Sequence, residues 1–313
     1  MNTPDESNPA NGPAQPAVHA TATGGRRALL ARYPWLGFVL PLVVFLLFTQ
    51  FEPTPPPIAE KPAAPEPAAV DRAGPAHGAP ASASEAQGAP ESDAGDETVK
   101  PSSWFGLDIP YSAYPYVYTL KIALSIAAIA FCWPTYQQFP WKLSPLAFVA
   151  GAVGVVLWVG LCQLKLEGRV LPAIGLGSLV ASTQRSAFNP LVELAAQPAW
   201  AWGFLVIRFI GLALVVPLIE EFFLRGFVMR LCVSEDWPKV PFGTVNKLAV
   251  VVGTAVPLAM HMPSEYLATL VWFSMITGLM VLTRNIWDCV AAHATTNLLL
   301  GLYVVVWNQW HLM

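Results

Sequence analysis

The chain has 313 residues, of which 55% are hydrophobic and only 12% are charged, and its mean hydropathy is +0.49. This composition is typical of a membrane protein, and a formal net charge of −3 argues against a surface that binds nucleic acid. The four cysteines are scattered and form no CxxC pair, so neither a zinc site nor a disulfide framework is indicated.

The N-terminal third predicts one anchor helix between two unstructured segments. Residues 1–32 are rich in Pro, Ala, Asn and Gly without periodicity, which predicts disorder. The apolar run WLGFVLPLVVFLLF follows, and we predict a transmembrane anchor over residues 33–51. A cleaved signal peptide is the alternative, but the segment before the run is too long and no A-x-A site follows closely. Residues 52–103, rich in Pro, Ala, Gly and Ser, predict a flexible linker.

Six further apolar segments predict a multi-spanning membrane domain over residues 104–313. None of them shows the alternation of a barrel strand, so each is predicted to be a membrane helix. The segments are residues 116–133, 145–164, 200–233, 248–262, 266–282 and 286–307. With the anchor, the predicted fold is an all-α polytopic membrane helix bundle, with about six helices in its body.

The positions of Lys and Arg predict the orientation, because these residues are enriched on the cytoplasmic side of membrane proteins. Arg26, Arg27 and Arg32 place the N-terminus in the cytoplasm and the linker outside. Alternation of the spans then puts the other basic clusters on the cytoplasmic side too. These residues are Lys142, Arg225, Arg230, Lys239, Lys247 and Arg284.

Three charged residues interrupt the apolar stretch VVPLIEEFFLRGFVMR. Ionisable groups inside membrane spans are costly and indicate function. Glu221 and Arg225 lie four residues apart on one helix face, so we predict a structural ion pair. Glu220 lies about 100° round the helix, without a partner there, and a carboxylate withdrawn from water suits a general base. Pro217 is expected to kink the helix. The alternative is that all three charges form one packing network.

Two other apolar segments carry polar groups at a similar depth. His261 ends the run AVPLAMH, and His293 and Asn297 share one helix face in HATTN. At 1.5 Å per residue, these groups and Glu220 lie roughly 13–21 Å from the nearest cytoplasmic cations. Three helices are therefore predicted to bring four polar groups to one layer of the membrane, although each histidine alone could be a packing residue.

Four more charged residues lie in or near the spans, and we predict structural roles for them. Lys121 is expected to extend its ammonium group towards the membrane surface. Asp288 is placed at a helix N-terminus, where a carboxylate is favoured, and Glu265 at the outer interface. Arg208 is expected to pair with an acid, or to bind a substrate carboxylate.

The three polar motifs resemble those of the CAAX protease and bacteriocin-processing family of intramembrane glutamic endopeptidases, which includes the type II CAAX prenyl endopeptidases. EEFFLR matches the EExxxR motif, His261 stands at the second motif, FxxxH, and HATTN matches the third, HxxxN. The chain departs at the phenylalanine of the second motif, where it has Pro257. Order and spacing agree over roughly residues 115–310. The stretches VVPLIEEFFLRGFVMRLC and AHATTNLLLGLYV, with an FNP before them, further resemble the subgroup that accompanies bacterial exosortase systems.

This resemblance implies an intramembrane endopeptidase in the inner membrane of a bacterium, cleaving a membrane-associated protein or peptide near its C-terminus. Glu220, helped by His261, would activate a water for attack on a peptide carbonyl, and His293 and Asn297 would stabilise the oxyanion. No cofactor is needed in that scheme.

Three alternatives remain open from the sequence. A glutamate and two histidines could bind zinc with a water in the fourth position, giving a metal-dependent protease. A non-catalytic immunity or assembly factor could keep the same polar groups as a packing core. A transporter could use the glutamate in a proton relay, although the chain has no evident repeated half.

Overall fold

The computed structural model describes residues 25–53, 109–181 and 187–312. Within these ranges the regular elements are helical, which confirms the predicted all-α membrane bundle. The predicted linker lies outside the described residues, apart from its first two positions.

The body is built from long apolar helices joined by short connections. In chain order the helices are α1 Gly25–Arg32, α2 Leu36–Thr49, α3 Tyr114–Tyr136, α4 Pro145–Leu164, α5 Glu167–Ala173, α6 Gly177–Ala181, α7 Pro190–Glu193, α8 Pro198–Val233, α9 Lys247–Met260, α10 Tyr266–Thr283 and α11 Ile286–Trp307. Single 3-10 turns cover Tyr111–Ala113, Trp237–Lys239, Pro263–Glu265 and Trp310–Leu312. Five helices, α3, α4, α8, α10 and α11, are long and apolar enough to cross a membrane.

Two of the predicted spans are shorter than the sequence suggests. Both α2 and α9 have 14 residues, about 21 Å, which is less than the roughly 30 Å of a hydrocarbon core. The sequence assigned Gly25–Arg32 to the unstructured segment, but these residues form α1, which meets α2 at a bend of 97°. If this bent pair is counted as one span, the described residues contain six candidate membrane spans instead of five.

Helix α8 changes its hydrogen-bond register on both sides of its acidic pair. The segments Gly211–Val215 and Phe222–Val228 are π-helical and enclose the α-helical turns Val216–Glu221. Such π segments occur frequently at functional sites. In the first of them the Val216 amide donates to the Gly211 carbonyl. The next amide in that register would belong to Pro217, which has none, so the π register ends at the proline.

Helix α4 packs closely along α11 because glycines face the contact. The Thr296 hydroxyl of α11 donates to the Gly151 carbonyl at 2.9 Å and accepts from the Trp272 indole nitrogen at 3.1 Å. A methyl group built on Gly154 would lie only 2.7 Å from the Thr296 hydroxyl and from that indole nitrogen. The small residues of α4 therefore set how closely these helices approach.

Gly154→Ala is expected to lower the free energy of unfolding by about 1–3 kcal/mol, because the added methyl overpacks the contact with α11. Gly160→Ala on the same helix is the matched control, since a methyl there meets no atom within 4 Å. The control is expected to be neutral or to stabilise by about 0.5–1 kcal/mol through helix propensity. Thermal unfolding in detergent compares them, and equal effects would contradict the packing argument.

Two of the charged residues occupy positions that the sequence did not predict. The expectation that Lys121 extends to the membrane surface is wrong, because its side chain is buried and forms an ion pair with Glu52. Glu265 is buried as well, instead of facing the outer interface. Lys121 is covered by a segment that is distant in sequence. Glu265 belongs to the 3-10 turn Pro263–Glu265, which contacts α4, α5 and α6.

The other two charged residues have buried hydrogen bonds. Arg208 donates to the carbonyl of Phe188 at 2.6 Å. The Asp288 carboxylate accepts from the amide of Ser144 at 2.8 Å, which links the start of α11 to the start of α4. Both residues hold connecting segments against the bundle, in keeping with a structural role.

Candidate active site

A cavity of about 500 Å³ brings together the four polar residues that the sequence placed in one membrane layer. Glu220 comes from α8, His261 from the end of α9, and His293 and Asn297 from α11. Most of the remaining lining is aromatic or aliphatic. The cavity is therefore a polar cluster within an apolar surround, which is the usual composition of a ligand site.

The charge network beneath the cavity is centred on Glu221. One of its carboxylate oxygens lies 2.5 Å from Nη1 of Arg225, and the other lies 2.9 Å from Nδ1 of His293. Arg225 also donates to the Phe273 carbonyl at 3.2 Å. Glu221 and Arg225 are completely buried, where each charge requires a partner. The pair forms as the four-residue spacing predicts, and both oxygens of Glu221 are engaged.

Glu220 faces the other nitrogen of the same histidine. Its Oε2 lies 4.0 Å from Nε2 of His293, which is too long for a direct hydrogen bond but short enough for a water to bridge the two atoms. Because Nδ1 of His293 meets a Glu221 oxygen, that nitrogen carries the hydrogen and directs Nε2 towards Glu220. The sequence had suggested His261 as the helper of Glu220, whereas this geometry places His293 beside it.

His261 is oriented by the backbone of its own helix. Its Nδ1 lies 2.9 Å from the Pro257 carbonyl, which also accepts from the His261 amide at 3.0 Å. The helix ends here, because His261 has an extended conformation (φ −105°, ψ 161°). Its ring packs edge-on against Trp158 and Phe273 at centroid distances of 5.6 and 5.5 Å. The proline that departs from the second motif thus positions the histidine through its carbonyl oxygen.

Asn297 forms a hydrogen bond with the first π-helical segment of α8. Its Nδ2 donates to the Leu212 carbonyl at 2.9 Å. In the π register this carbonyl would accept from residue 217, which is a proline without an amide hydrogen. The asparagine therefore satisfies an acceptor that the proline leaves open, and it is held at the cavity wall by doing so.

Sequence reasoning missed the aromatic and hydroxyl residues that shape the cavity. The Trp272 ring lies 4.5 Å from the His293 ring, and Phe273 contacts the rings of both histidines. In sequence these residues look like any others in an apolar span, so no pattern singles them out. The missed lining residues nearest the histidines are Trp158, Trp272, Phe273 and Thr296.

The zinc alternative requires three ligands arranged around one point. Among the described residues, no group of three His, Cys, Asp or Glu side chains is placed to hold a metal ion. Nδ1 of His293 is engaged by Glu221, and Nδ1 of His261 lies against a backbone carbonyl. These contacts alone do not decide the matter, because histidines that bind a metal through one nitrogen usually have such a partner on the other. A three-ligand site would require both rings to turn their Nε2 atoms and Glu220 towards one point, and the side chains do not converge in that way.

The segment that contains the site is similar to a known family. Residues 201–299 match the Rce1-like family of type II CAAX prenyl endopeptidases. The matched segment contains Glu220, His261, His293 and Asn297, whereas α1–α7 lie before it. No curated protein and no solved structure matches the chain. The apolar helices indicate an integral membrane protein, and its residues 201–299 are similar to type II CAAX prenyl endopeptidases.

Proposed function

We propose that the protein is an intramembrane glutamic endopeptidase, which cleaves a membrane-associated protein or peptide near its C-terminus. The observation that carries this proposal is the 4.0 Å approach of Glu220 Oε2 to His293 Nε2, in a cavity between membrane-spanning helices. A water between these atoms has a carboxylate to accept its proton and a histidine nitrogen to orient it.

In this mechanism Glu220 takes a proton from the water, which then attacks the peptide carbonyl. Glu221 holds His293 by its Nδ1–H, as the third group of a triad orients its base. The proton that Glu220 removed from the water passes to the nearby Nε2, and Nε2 then delivers it to the leaving amine as the C–N bond breaks. In the neutral ring this nitrogen has no hydrogen to donate, so His293 stabilises the oxyanion only after it has taken up a proton.

Asn297 is the other candidate for stabilising the oxyanion. Its amide has two hydrogens, of which one is used by the Leu212 carbonyl, so the second is left for the reacting oxygen. His261 lines the same cavity and is assigned the role of a second acceptor for the attacking water. Donors fixed in advance in a site without bulk water are worth more than the same donors in water.

The non-catalytic alternative explains only part of the geometry. A packing core accounts for Glu221, Arg225 and His293, which satisfy one another. Glu220 approaches that network only at the 4.0 Å distance to His293 Nε2, and its carboxylate lines the cavity. A carboxylate that is kept next to an open space, at a cost to stability, favours chemistry over packing.

We also propose a place in the cell for this activity. The arginines before α2 and the basic segment after α8 support a cytoplasmic N-terminus, and the motif context resembles the exosortase-associated proteins of bacterial inner membranes. The substrate class would then be proteins anchored by a C-terminal membrane segment.

The purified chain in liposomes, incubated with a library of internally quenched apolar peptides, tests the function directly. We expect cleavage within the membrane phase, with the cleaved bond identified by mass spectrometry. Because the proposed reaction uses no metal, EDTA and 1,10-phenanthroline are expected to leave the rate unchanged. A rate that is lost with the chelators and restored by zinc would overturn the glutamate mechanism in favour of a metal-dependent one.

A further inference from the structure

Part of the wall of the cavity that contains Glu220 is formed by residues that precede the segment similar to the protease family. Four residues at the end of α2 and just after it line it: Phe45, Thr49, Glu52 and Pro53. They precede the first matched residue by about 150 positions. The N-terminal segment, which the sequence predicts only as an anchor, therefore reaches the candidate active site.

Helix α2 is held against the bundle by its buried face. Phe38 and Leu42 are only 2% and 3% exposed. Phe38 lies against Gly226 of α8, where an added methyl would come within 2.8 Å of the ring. Its ring also packs edge-on against Trp237 at 5.3 Å. One face of α2 is thus fixed between α3 and the end of α8.

A buried ion pair fixes the end of α2 that reaches the cavity. Glu52 pairs with Lys121 of α3, and the Lys121 ammonium lies 4.4 Å from the ring centre of Phe45 and 4.6 Å from that of Tyr118. Lys121 is only 3% exposed, so its charge depends on these partners. The contacts with Lys121 hold Phe45 and Glu52 in place as a wall of the cavity.

The surface that α2 presents to the cavity is mostly apolar. The Thr49 hydroxyl donates to the Phe45 carbonyl at 2.9 Å, so it is engaged by its own helix. Other apolar residues of this cavity come from α8 and α11, including Leu212, Val216 and Leu300. An aromatic ring and a short side chain next to aliphatic groups form a subsite for an apolar side chain.

We propose that α2 is part of the substrate-binding site, and that Phe45 and Thr49 set the size of the apolar substrate side chain that the enzyme accepts. This inference rests on the proposed endopeptidase function. It makes α2 a specificity element of the site in addition to an anchor.

In the first test, the full chain in liposomes cleaves a series of quenched peptides. The peptides differ at one position, which is Ala, Leu, Phe or Trp. Phe45→Ala enlarges the subsite and is expected to raise the ratio of kcat/KM for the largest over the smallest side chain by about tenfold or more. Thr49→Trp fills the subsite and is expected to lower that ratio by a similar factor. It also keeps Phe45 in place against Lys121.

Leu47 provides matched controls, because it lies on α2 but is 47% exposed and does not line this cavity. Leu47→Ala and Leu47→Trp are expected to leave the ratio unchanged. Variants at Phe45 and Thr49 that fold and cleave with the wild-type ratio would overturn the inference.

A second readout separates binding from catalysis. In a Glu220→Gln background, Thr49 is replaced by the photo-crosslinking residue p-benzoylphenylalanine. This variant is irradiated in the presence of a biotinylated peptide of the same library. Capture at position 49 but not at position 47 is expected. Capture at position 49, together with no cleavage by the chain that has the natural Glu220, would contradict the endopeptidase function and keep the binding wall. Cleavage by the wild type without capture at 49 would contradict the binding wall alone.

Discussion

Glu220→Gln is expected to abolish cleavage while the protein remains folded. Glutamine has nearly the same shape as glutamate but cannot take a proton from water, and a general base contributes typically about 10²–10⁴-fold to the rate. Glu220 lies outside the ion pair of Glu221 and Arg225, so the substitution leaves the charged network intact. Initial rates on quenched peptides in liposomes, together with thermal unfolding in detergent, measure the two effects separately.

Glu220→Asp is the matched control for this variant. It keeps the carboxylate but withdraws it by about 1.5 Å from His293, and a displacement of that size costs about 10²-fold. Activity is therefore expected to fall in the order wild type, Asp, Gln. Wild-type cleavage by the Gln variant would remove Glu220 from the mechanism and would return the polar groups to a packing role.

The sequence predicted those parts of the site that depend on one helix. The ion pair of Glu221 with Arg225 follows from a four-residue spacing, and the shared face of His293 and Asn297 follows from the same periodicity. The meeting of these groups with His261 followed from an estimate of depth. All of these predictions need only the rise and the turn of a helix, which sequence position fixes.

The pairing between helices could not be predicted in the same way. Which nitrogen of His293 meets Glu221, and which faces Glu220, depends on the rotation of α8 against α11. Helix α8 also contains two π segments, which change its hydrogen-bond register beside these residues, and only Pro217 in the sequence points to one of them. Likewise, Lys121 was expected at the surface, whereas its partner Glu52 comes from the start of the predicted linker, some 70 positions away in sequence. Tertiary packing decided both cases.

Pro217 shows how one residue shapes the site at a distance. Lacking an amide hydrogen, it leaves a carbonyl of the preceding turn without a backbone donor, and Asn297 supplies one from another helix. The bond ties α11 to α8 at Leu212, about two turns before Glu220. The proline, which the sequence predicted only to kink its helix, thus also leaves room for a hydrogen bond between the two helices that carry Glu220 and His293.

Glu221→Gln, unlike Glu220→Gln, is expected to cause a large loss of stability. Arg225 is fully buried and lies 2.5 Å from Glu221. Removing one partner of a buried ion pair typically costs about 3–5 kcal/mol, because the other charge is left uncompensated. Cleavage is expected to fall as well, since His293 loses the carboxylate that holds its Nδ1–H. Thermal and denaturant unfolding in detergent measure the loss of stability.

The double variant Glu221→Gln with Arg225→Met separates these two effects. Replacing both charges removes the uncompensated cation, so most of the lost stability is expected to return. Cleavage is expected to stay low, because no carboxylate orients His293. If the single variant were as stable as the wild type, the buried pair would not be a support of the site. If the double variant cleaved normally, His293 would need no orienting partner, and Glu220 would act without it.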